Sequence, residues 1–284
     1  MIPAKFDYEA PDGLDEVIRI LHENGEDAKL LAGGHSLVPL MKLRLATPAL
    51  LVDMRRVPGM HGIQRENGTW RIGAMTPHAV LEDTPELGIA STVAASIADR
   101  QVRNRGTIGG SLAHGDPASD LPAMVLATEA TVTLRGRDAQ RTVAAAELFR
   151  DYMETAIGPE EVLTEIRVPV LEGYGHAHRK FTRRREDWAM VGVVALVRRE
   201  EDTCADVRVA LTNMGSTPVR ARAVEDALRG QSLTDEAIRA AAEHAAEGTD
   251  PPADLNASAD YKRHLARVMT ARALQEAAGS LGSR

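Results

Sequence analysis

Residues 30–43 read LLAGGHSLVPLMKL, an apolar run that is interrupted by Gly33, Gly34, His35 and Ser36. Glycine adopts positive φ angles at little cost, and it lets another group approach the backbone closely. A double glycine occurs most often in an ordinary turn. The stretch therefore leaves two interpretations open: a bare turn, or a backbone surface that a ligand covers.

A second double glycine occurs in GTIGGSLAHGDPASDLPAM, residues 106–124, where Ser111 follows Gly109 and Gly110. Both turns are expected to leave successive backbone N–H groups free, and such groups form a concavity that binds anions. Two such turns, each with a hydroxyl group beside it, suit a ligand with two phosphates. Neither turn fits GxxxxGK(S/T) or GxGxxG, so the sequence does not support a P-loop or a Rossmann site.

The composition narrows the class of protein. The 284 residues are enough for one large domain or two modest ones. The net charge of −7 argues against a general nucleic-acid binder, and no nucleic-acid partner is expected. No run approaches the ~20 apolar residues of a membrane span. The first residues, MIPAKFDYEAPDG, lack the apolar segment of a signal peptide, so a cytoplasmic location is expected.

The single cysteine, Cys204, cannot supply the ligands of an iron–sulfur cluster or a structural zinc site. It precedes a predicted strand, and a buried, inert thiol is expected.

Periodicity predicts alternating elements in the first half of the chain. In PDGLDEVIRILHENGED, apolar residues recur at helical spacing from Leu14 to Leu21, with Asp12 as the expected N-cap and Gly25 as the expected end. Asn67–Gly68 predicts a hairpin over 62–74. The further predicted elements are strands at 28–34, 48–54, 131–136 and 162–170, a helix from Thr76 as N-cap with Pro77 in its first turn, and helices at 87–100 and 118–130.

The pattern changes after the glycines of LEGYGHAH, residues 171–178. Three successive strands are predicted at 176–184, 188–199 and 205–215, and three helical stretches follow at 222–230, 234–248 and 260–279. Strands followed by helices indicate an α+β arrangement. We expect an α+β protein with a first domain at 1–173, in two parts of about 1–55 and 56–173, and a C-terminal domain at 174–284 with a three-stranded sheet and helices.

Several segments together carry a resemblance to a known family. They are AGGHSLVPLMKLRLATP, TIGGSLAHGDPASDLPA, KFTRRREDWAMVGVVA, TPVRA and YKRHLARVMTARAL. In this order they resemble the FAD-binding medium subunit of the molybdenum hydroxylases, with carbon monoxide dehydrogenase medium subunits and the flavin domain of xanthine dehydrogenase as the most similar members. The resemblance covers nearly the whole chain, and it implies an FAD-binding domain of the vanillyl-alcohol oxidase (PCMH) type.

The resemblance implies FAD as cofactor and assigns residues to it. The two glycine loops would hold the pyrophosphate, Asp120 the ribose and phosphate region, and Lys180 would lie near the flavin ring, where a cation stabilises the charge of the reduced flavin. Trp188 stands where relatives often carry the Tyr of a Gly-Asp-Tyr triplet. The predicted cofactor-binding residues are Ala32, Gly33, Gly34, His35, Ser36, Leu37, Thr107, Ile108, Gly109, Gly110, Ser111, Asp120, Lys180 and Trp188. Neither a catalytic side chain nor a metal site is predicted.

Each of these residues also has a simpler interpretation. Asp120 could be only an acid at a helix N-terminus, Lys180 could belong to a solvated basic face with Arg183–Arg185, and Trp188 could lie in the core. His35 could be a turn residue that does not touch the ligand.

Three further histidines raise separate questions. A metal site formed by His114, Asp116 and Asp120 is disfavoured, because an Asp116-Pro117 turn explains the segment. His176 and His178 alternate on a predicted strand and so share one face, which is typical of a surface or an interface.

The favoured function is a subunit that passes electrons from iron–sulfur clusters on a partner chain through FAD to an external acceptor. The resemblance implies an iron–sulfur small subunit and a molybdopterin large subunit as partners, in a dimer of heterotrimers. Carbon monoxide, an N-heterocycle and an aldehyde stay open as the substrate of the complex, and overall similarity favours carbon monoxide. Contact with the inner face of the membrane would occur only through partners. Two alternatives stay open: a self-contained FAD-dependent oxidase with its own substrate pocket, and a non-catalytic nucleotide-binding module.

Overall fold

The first layer of the protein is a small parallel sheet that ends at the first glycine loop. The computed structural model describes residues 2–280. The sheet has the order β1-β3-β2, and all its pairings are parallel. Its elements are strand β1 (Asp7–Glu9), helix α1 (Leu14–Asn24), strand β2 (Ala28–Leu31), helix α2 (Leu37–Lys42) and strand β3 (Leu50–Asp53). The glycines at 33 and 34 therefore lie between the carboxyl end of β2 and the start of α2.

Helix α1 confirms the predicted apolar face, since Val17, Ile18 and Leu21 are buried. Gly25 ends the helix with φ 53°, as expected for a glycine at this position. The prediction of Asp12 as N-cap is wrong. Gly13 occupies that position, and the Asp12 carboxylate instead pairs with Arg56 at 3.5 Å.

A second, five-stranded antiparallel sheet has the order β4-β5-β10-β6-β7. The predicted hairpin forms β4 and β5, and both turn residues, Asn67 and Gly68, have positive φ angles, which suits a tight turn between twisted strands. The strands from this point are β4 (Ile63–Glu66), β5 (Thr69–Gly73), β6 (Thr131–Arg135), β7 (Gln140–Ala144), β8 (Phe149–Asp151), β9 (Glu154–Thr155) and β10 (Val162–Pro169).

Short helices connect these strands and cover the sheet. They are α3 (His78–Glu82), α4 (Ile89–Ala95), α5 (Arg100–Arg103), α6 (Ile108–His114), α7 (Asp120–Ala127) and α8 (Ala145–Leu148). The prediction of Thr76 as a helix cap is wrong, because its hydroxyl exchanges hydrogen bonds with the backbone of Gly62, and Pro77 precedes α3 instead. Every residue of α7 is buried.

The C-terminal part contains an antiparallel sheet with the order β11-β12-β13-β14. The three-stranded prediction is therefore one strand short, because β14 has only two residues and no readable alternation. The elements are β11 (Tyr174–Phe181), β12 (Val191–Glu200), β13 (Thr203–Thr212), β14 (Val219–Arg220), α9 (Arg222–Leu228), α10 (Asp235–Ala242) and α11 (Ala259–Gly279).

Strand β12 is buried on both faces. Val193 and Ala195 lie in a core with α9–α11, whereas Val194 and Leu196 lie in the larger core of the preceding sheets. This division follows from the alternation of side chains along a strand. The same alternation turns His178 and Lys180 of β11 away from the C-terminal core, which contains Ala177.

Cys204 is fully buried, as predicted, and burial raises the pKa of its thiol to about 11. The reactive thiolate is therefore scarce at neutral pH. Within residues 2–280, no helix has the length and apolar character that crossing a membrane requires.

Candidate functional site

A cleft of about 750 Å³ brings together segments that are far apart in the sequence. The first glycine loop, the second glycine loop, the start of α7 and the segment from Lys180 to Trp188 all contribute to its lining. A cleft of this size holds a cofactor or a large ligand.

Every predicted cofactor-binding residue except Ile108 lines this cleft. Ile108 is fully buried, and its backbone N–H donates to Thr76 O at 3.1 Å, so neither its side chain nor its amide faces the cleft. The residues that line it are Ala32, Gly33, Gly34, His35, Ser36, Leu37, Thr107, Gly109, Gly110, Ser111, Asp120, Lys180 and Trp188. Their individual roles in cofactor binding stay predictions.

The first loop presents unpaired backbone donors. Between residues 2 and 280, the amide N–H groups from Gly33 to Leu37 find no hydrogen-bond acceptor. Gly34 has φ 80°, which a side chain would strain, and a Cβ on Gly33 would overlap the backbone of Arg105 and Gly106. Unpaired donors in a cleft favour an anionic ligand, because amides without a partner are costly unless water or a ligand satisfies them.

The second loop differs, and the expectation of free amides there is wrong. Its N–H groups are bonded within the chain, since the loop is the start of α6 with Thr107 as N-cap. The bonds are Ile108 N to Thr76 O at 3.1 Å, Gly109 N to Ala74 O at 2.8 Å, Gly110 N to Thr107 Oγ1 at 3.2 Å and Ser111 N to Thr107 O at 3.0 Å.

The glycines of the second loop serve close packing. A Cβ on Gly109 would lie 2.5 Å from Ala74 Cβ, and a Cβ on Gly110 would lie 2.8 Å from Thr107 Oγ1. Gly109 therefore lets α6 pack closely against the end of β5, and Gly110 leaves room for the side chain of the N-cap residue, Thr107.

Asp120 and Lys180 form a buried ion pair on the wall of the cleft. Lys180 Nζ lies 2.7 Å from Asp120 Oδ2, and the side chains are 9% and 4% exposed. The ammonium also approaches Ser96 O at 3.4 Å. The solvated-face interpretation is wrong for Lys180 but describes Arg183–Arg185, which are exposed.

Trp188 is 58% exposed, so the core interpretation is wrong. The preceding turn is held by a hydrogen bond from Arg184 N to Asp187 Oδ2 at 3.1 Å. An exposed indole on the cleft wall offers an apolar surface to a ligand.

The segment with His114, Asp116 and Asp120, where a metal site was disfavoured, contains the expected turn. Asp116 Oδ1 accepts a hydrogen bond from Ala118 N at 2.8 Å, which is the turn geometry expected from Asp-Pro.

Two buried histidines lie near the site: His78, for which the sequence made no prediction, and His178, for which the surface interpretation is wrong. His78 lines the cleft, and its Nδ1 has no hydrogen-bond partner between residues 2 and 280. Burial, and to a smaller extent the charges of His35 and Arg103, lower its pKa to about 4. His178 lies inside the protein, 3.9 Å from Asp120. No local pattern distinguishes these rings from surface histidines, although the shared face of His178 and Lys180 was readable.

Comparison with known proteins identifies the family. The model of the FAD binding domain in molybdopterin dehydrogenase matches residues 4–171, and that of the CO dehydrogenase flavoprotein C-terminal domain matches residues 176–277. The chain belongs to this flavoprotein family. FAD is its cofactor, and the chain is an oxidoreductase subunit with the α+β, two-domain FAD-binding fold that was predicted.

Individual members of this flavoprotein family match over almost their full length. The chain is 44% identical to the carbon monoxide dehydrogenase medium chain of Hydrogenophaga pseudoflava, covering 98% of both chains. It is 40% identical to the 6-hydroxypseudooxynicotine dehydrogenase complex subunit alpha of Paenarthrobacter nicotinovorans, covering 98% and 96%.

Solved structures agree. The fold superposes on carbon monoxide dehydrogenase from Hydrogenophaga pseudoflava with a TM-score of 0.96 at 44% identity, covering 99% of each chain. It matches quinoline 2-oxidoreductase from Pseudomonas putida 86 with a TM-score of 0.95 at 32% identity, covering 99% and 100%.

Proposed function

We propose that this flavoprotein is the FAD-carrying medium subunit of a molybdenum hydroxylase complex of the carbon monoxide dehydrogenase type. It receives electrons from iron–sulfur clusters on a partner subunit and passes them to an external acceptor. The observation that carries the proposal is a cleft with a buried Lys180 and with amides at 33–37 that have no acceptor in the described chain. The chain matches such a medium chain over 98% of both lengths.

The residues of the cleft have separable tasks. The amides from Gly33 to Leu37 would hold the pyrophosphate of FAD, because none of them has an acceptor among the residues that the structure describes. Lys180 would favour a negative charge on the ring system, and Trp188 would cover it from one side. Bound FAD supplies the electron-transfer chemistry, so the chain needs no general acid or nucleophile of its own.

The complex would need two further kinds of subunit. The one cysteine of the chain is buried, so iron–sulfur clusters must be held by another chain. We propose an iron–sulfur small subunit and a molybdopterin large subunit as partners, in a dimer of heterotrimers. The division of the chain at 173/174 is proposed with it, supported by two hydrophobic cores and by the two matched ranges. The cytoplasmic location stays a prediction.

Carbon monoxide is the proposed substrate of the whole complex. The supporting observation is that two carbon monoxide dehydrogenase medium chains match at 44% and 39% identity. A self-contained oxidase is disfavoured, because the alignment with a carbon monoxide dehydrogenase medium chain covers 98% of both chains.

The test is co-expression of the chain with its iron–sulfur and molybdenum subunits, with purification through a tag on this chain. We expect one FAD for each chain and reduction of that FAD by carbon monoxide only when all three subunits are present. Reduction by an N-heterocycle but not by carbon monoxide would keep the subunit role and change the substrate. FAD-dependent substrate oxidation by the chain alone would contradict the proposal and favour the oxidase.

A further inference from the structure

A second side chain on β11 faces the buried ion pair of the cleft. His178 and Lys180 are two residues apart on this strand and so share one face. The imidazole of His178 is 2% exposed, and its Nε2 has no hydrogen-bond partner among residues 2–280. Burial lowers the pKa of His178, so its ring is neutral at neutral pH.

The carboxylate of Asp120 is only half satisfied by Lys180. Oδ2 accepts the hydrogen bond from Lys180 Nζ at 2.7 Å, whereas Oδ1 is buried and has no partner in the described chain. His178 Nε2 lies 3.9 Å from this Oδ1. A movement of about 1 Å would make the hydrogen bond, and an unpaired buried carboxylate oxygen is costly, which favours that movement.

We propose that His178 is a positioning residue for Lys180: its Nε2–H donates to Asp120 Oδ1, so that the carboxylate holds Lys180 through Oδ2 alone and leaves an ammonium N–H turned toward the cleft. The inference rests on the proposed function, because the group that this N–H would face is the bound flavin.

The donors of the ammonium support this arrangement. A lysine ammonium has three N–H groups. One donates to Asp120, a second approaches Ser96 O at 3.4 Å, and no acceptor within residues 2–280 takes the third. Without His178, both carboxylate oxygens would compete for Lys180 and draw it away from the cleft. The charge that favours a reduced cofactor would then be weaker.

The experiment uses the complete complex and measures the midpoint potential of its flavin by spectroelectrochemical titration. His178→Phe keeps a ring of similar size but removes the donor, whereas His178→Gln places an amide N–H near the position of Nε2. At a fixed potential, we expect His178→Phe to lower the ratio of reduced to oxidised flavin about threefold, which is about 14 mV for a two-electron couple. His178→Gln should restore most of this ratio.

Asp120→Asn provides the matched background. If His178 acts through the carboxylate, His178→Phe should cause no further shift in the Asp120→Asn complex. Should the phenylalanine variant not fold, His178→Asn, whose amide is too short to replace Nε2, is expected to give the same threefold change.

Two results would overturn the inference: a potential in His178→Phe or His178→Asn that equals that of the unsubstituted complex, or a shift that persists in the Asp120→Asn background. The FAD content, read from the flavin absorption of each preparation, separates this failure from that of the proposed function. An unsubstituted complex without FAD would contradict the proposed function, whereas FAD with an unshifted variant contradicts the positioning role alone.

Discussion

The two glycine loops of the cleft share a double glycine followed by a nearby serine, but the hydrogen bonding of their amides is opposite. In AGGHS, the amides from Gly33 to Ser36 have no acceptor among residues 2–280, and Gly34 has φ 80°. In TIGGS, the amides from Ile108 to Ser111 are all hydrogen-bonded within the chain. The glycines there allow Ala74 and Thr107 to pack closely against the backbone. A double glycine can thus expose donors or permit close packing, and the surrounding acceptors decide which.

The largest expected effect concerns the packed loop. Gly109→Val should lower the free energy of unfolding by about 3 kcal/mol, because its side chain would enter the space of Ala74. Denaturant unfolding of the FAD-free chain measures this. Gly279→Val is the control, since a Cβ there meets nothing within 4 Å. Equal stability of the two variants would contradict the packing role.

The pH dependence of stability tests the same region, because the backbone N–H of His78 donates to Gly106 O beside the packed loop. The pKa of His78 falls from 6.5 to about 4 on folding, so the unfolded chain binds the extra proton between these pH values. Stability is therefore lost as the pH falls from 6.5 to about 4, by about 3 kcal/mol at most. Denaturant unfolding at several pH values should show this loss in the unsubstituted chain but not in His78→Phe. The same pH dependence of the free energy of unfolding in both proteins would contradict the prediction.

The exposed loop should respond in ligand binding more than in stability. Gly34→Ala strains a residue at positive φ by about 1 kcal/mol and displaces the unpaired amides, so FAD affinity should fall about tenfold or more. Gly68→Ala, with φ 74° in a distant hairpin, carries the same strain and serves as the control in FAD titrations. Equal FAD affinity in the two variants would show that the first loop does not bind FAD.

The smallest effect is expected at Gly110. Its amide already donates to Thr107, so Gly110→Ala should change FAD affinity by less than about threefold. Replacing a helical glycine raises the free energy of unfolding, whereas disturbing the Thr107 cap lowers it. The net change in Gly110→Ala should therefore be within about 0.5 kcal/mol. Complete loss of FAD in this variant would mean that both loops bind the ligand in the same way.

Local sequence patterns predicted the elements whose cause is local. The apolar spacing of α1, the Asn67–Gly68 hairpin and the strands of the C-terminal sheet all follow from neighbouring residues. The family resemblance indicated in advance which distant segments share the cleft.

The features that escaped prediction depend on distant groups. The amides of the second loop are bonded because Ala74 and Thr76 supply acceptors from another element. Lys180 can be buried because the carboxylate of Asp120, on a helix of the first domain, accepts a hydrogen bond from its ammonium group. The strand pattern placed His176 and His178 on one face but could not reveal that the side chain of His178 is buried.

The burial of β12 on both faces has a consequence for how the protein unfolds. Because Val194 and Leu196 belong to one core and Val193 and Ala195 to the other, neither half can lose its order without uncovering apolar surface of its neighbour. Melting should therefore be a single cooperative event, and backbone amides of β12 should be among the slowest to exchange with deuterium. A fragment ending near residue 173 would carry a bare apolar face and would be prone to aggregate.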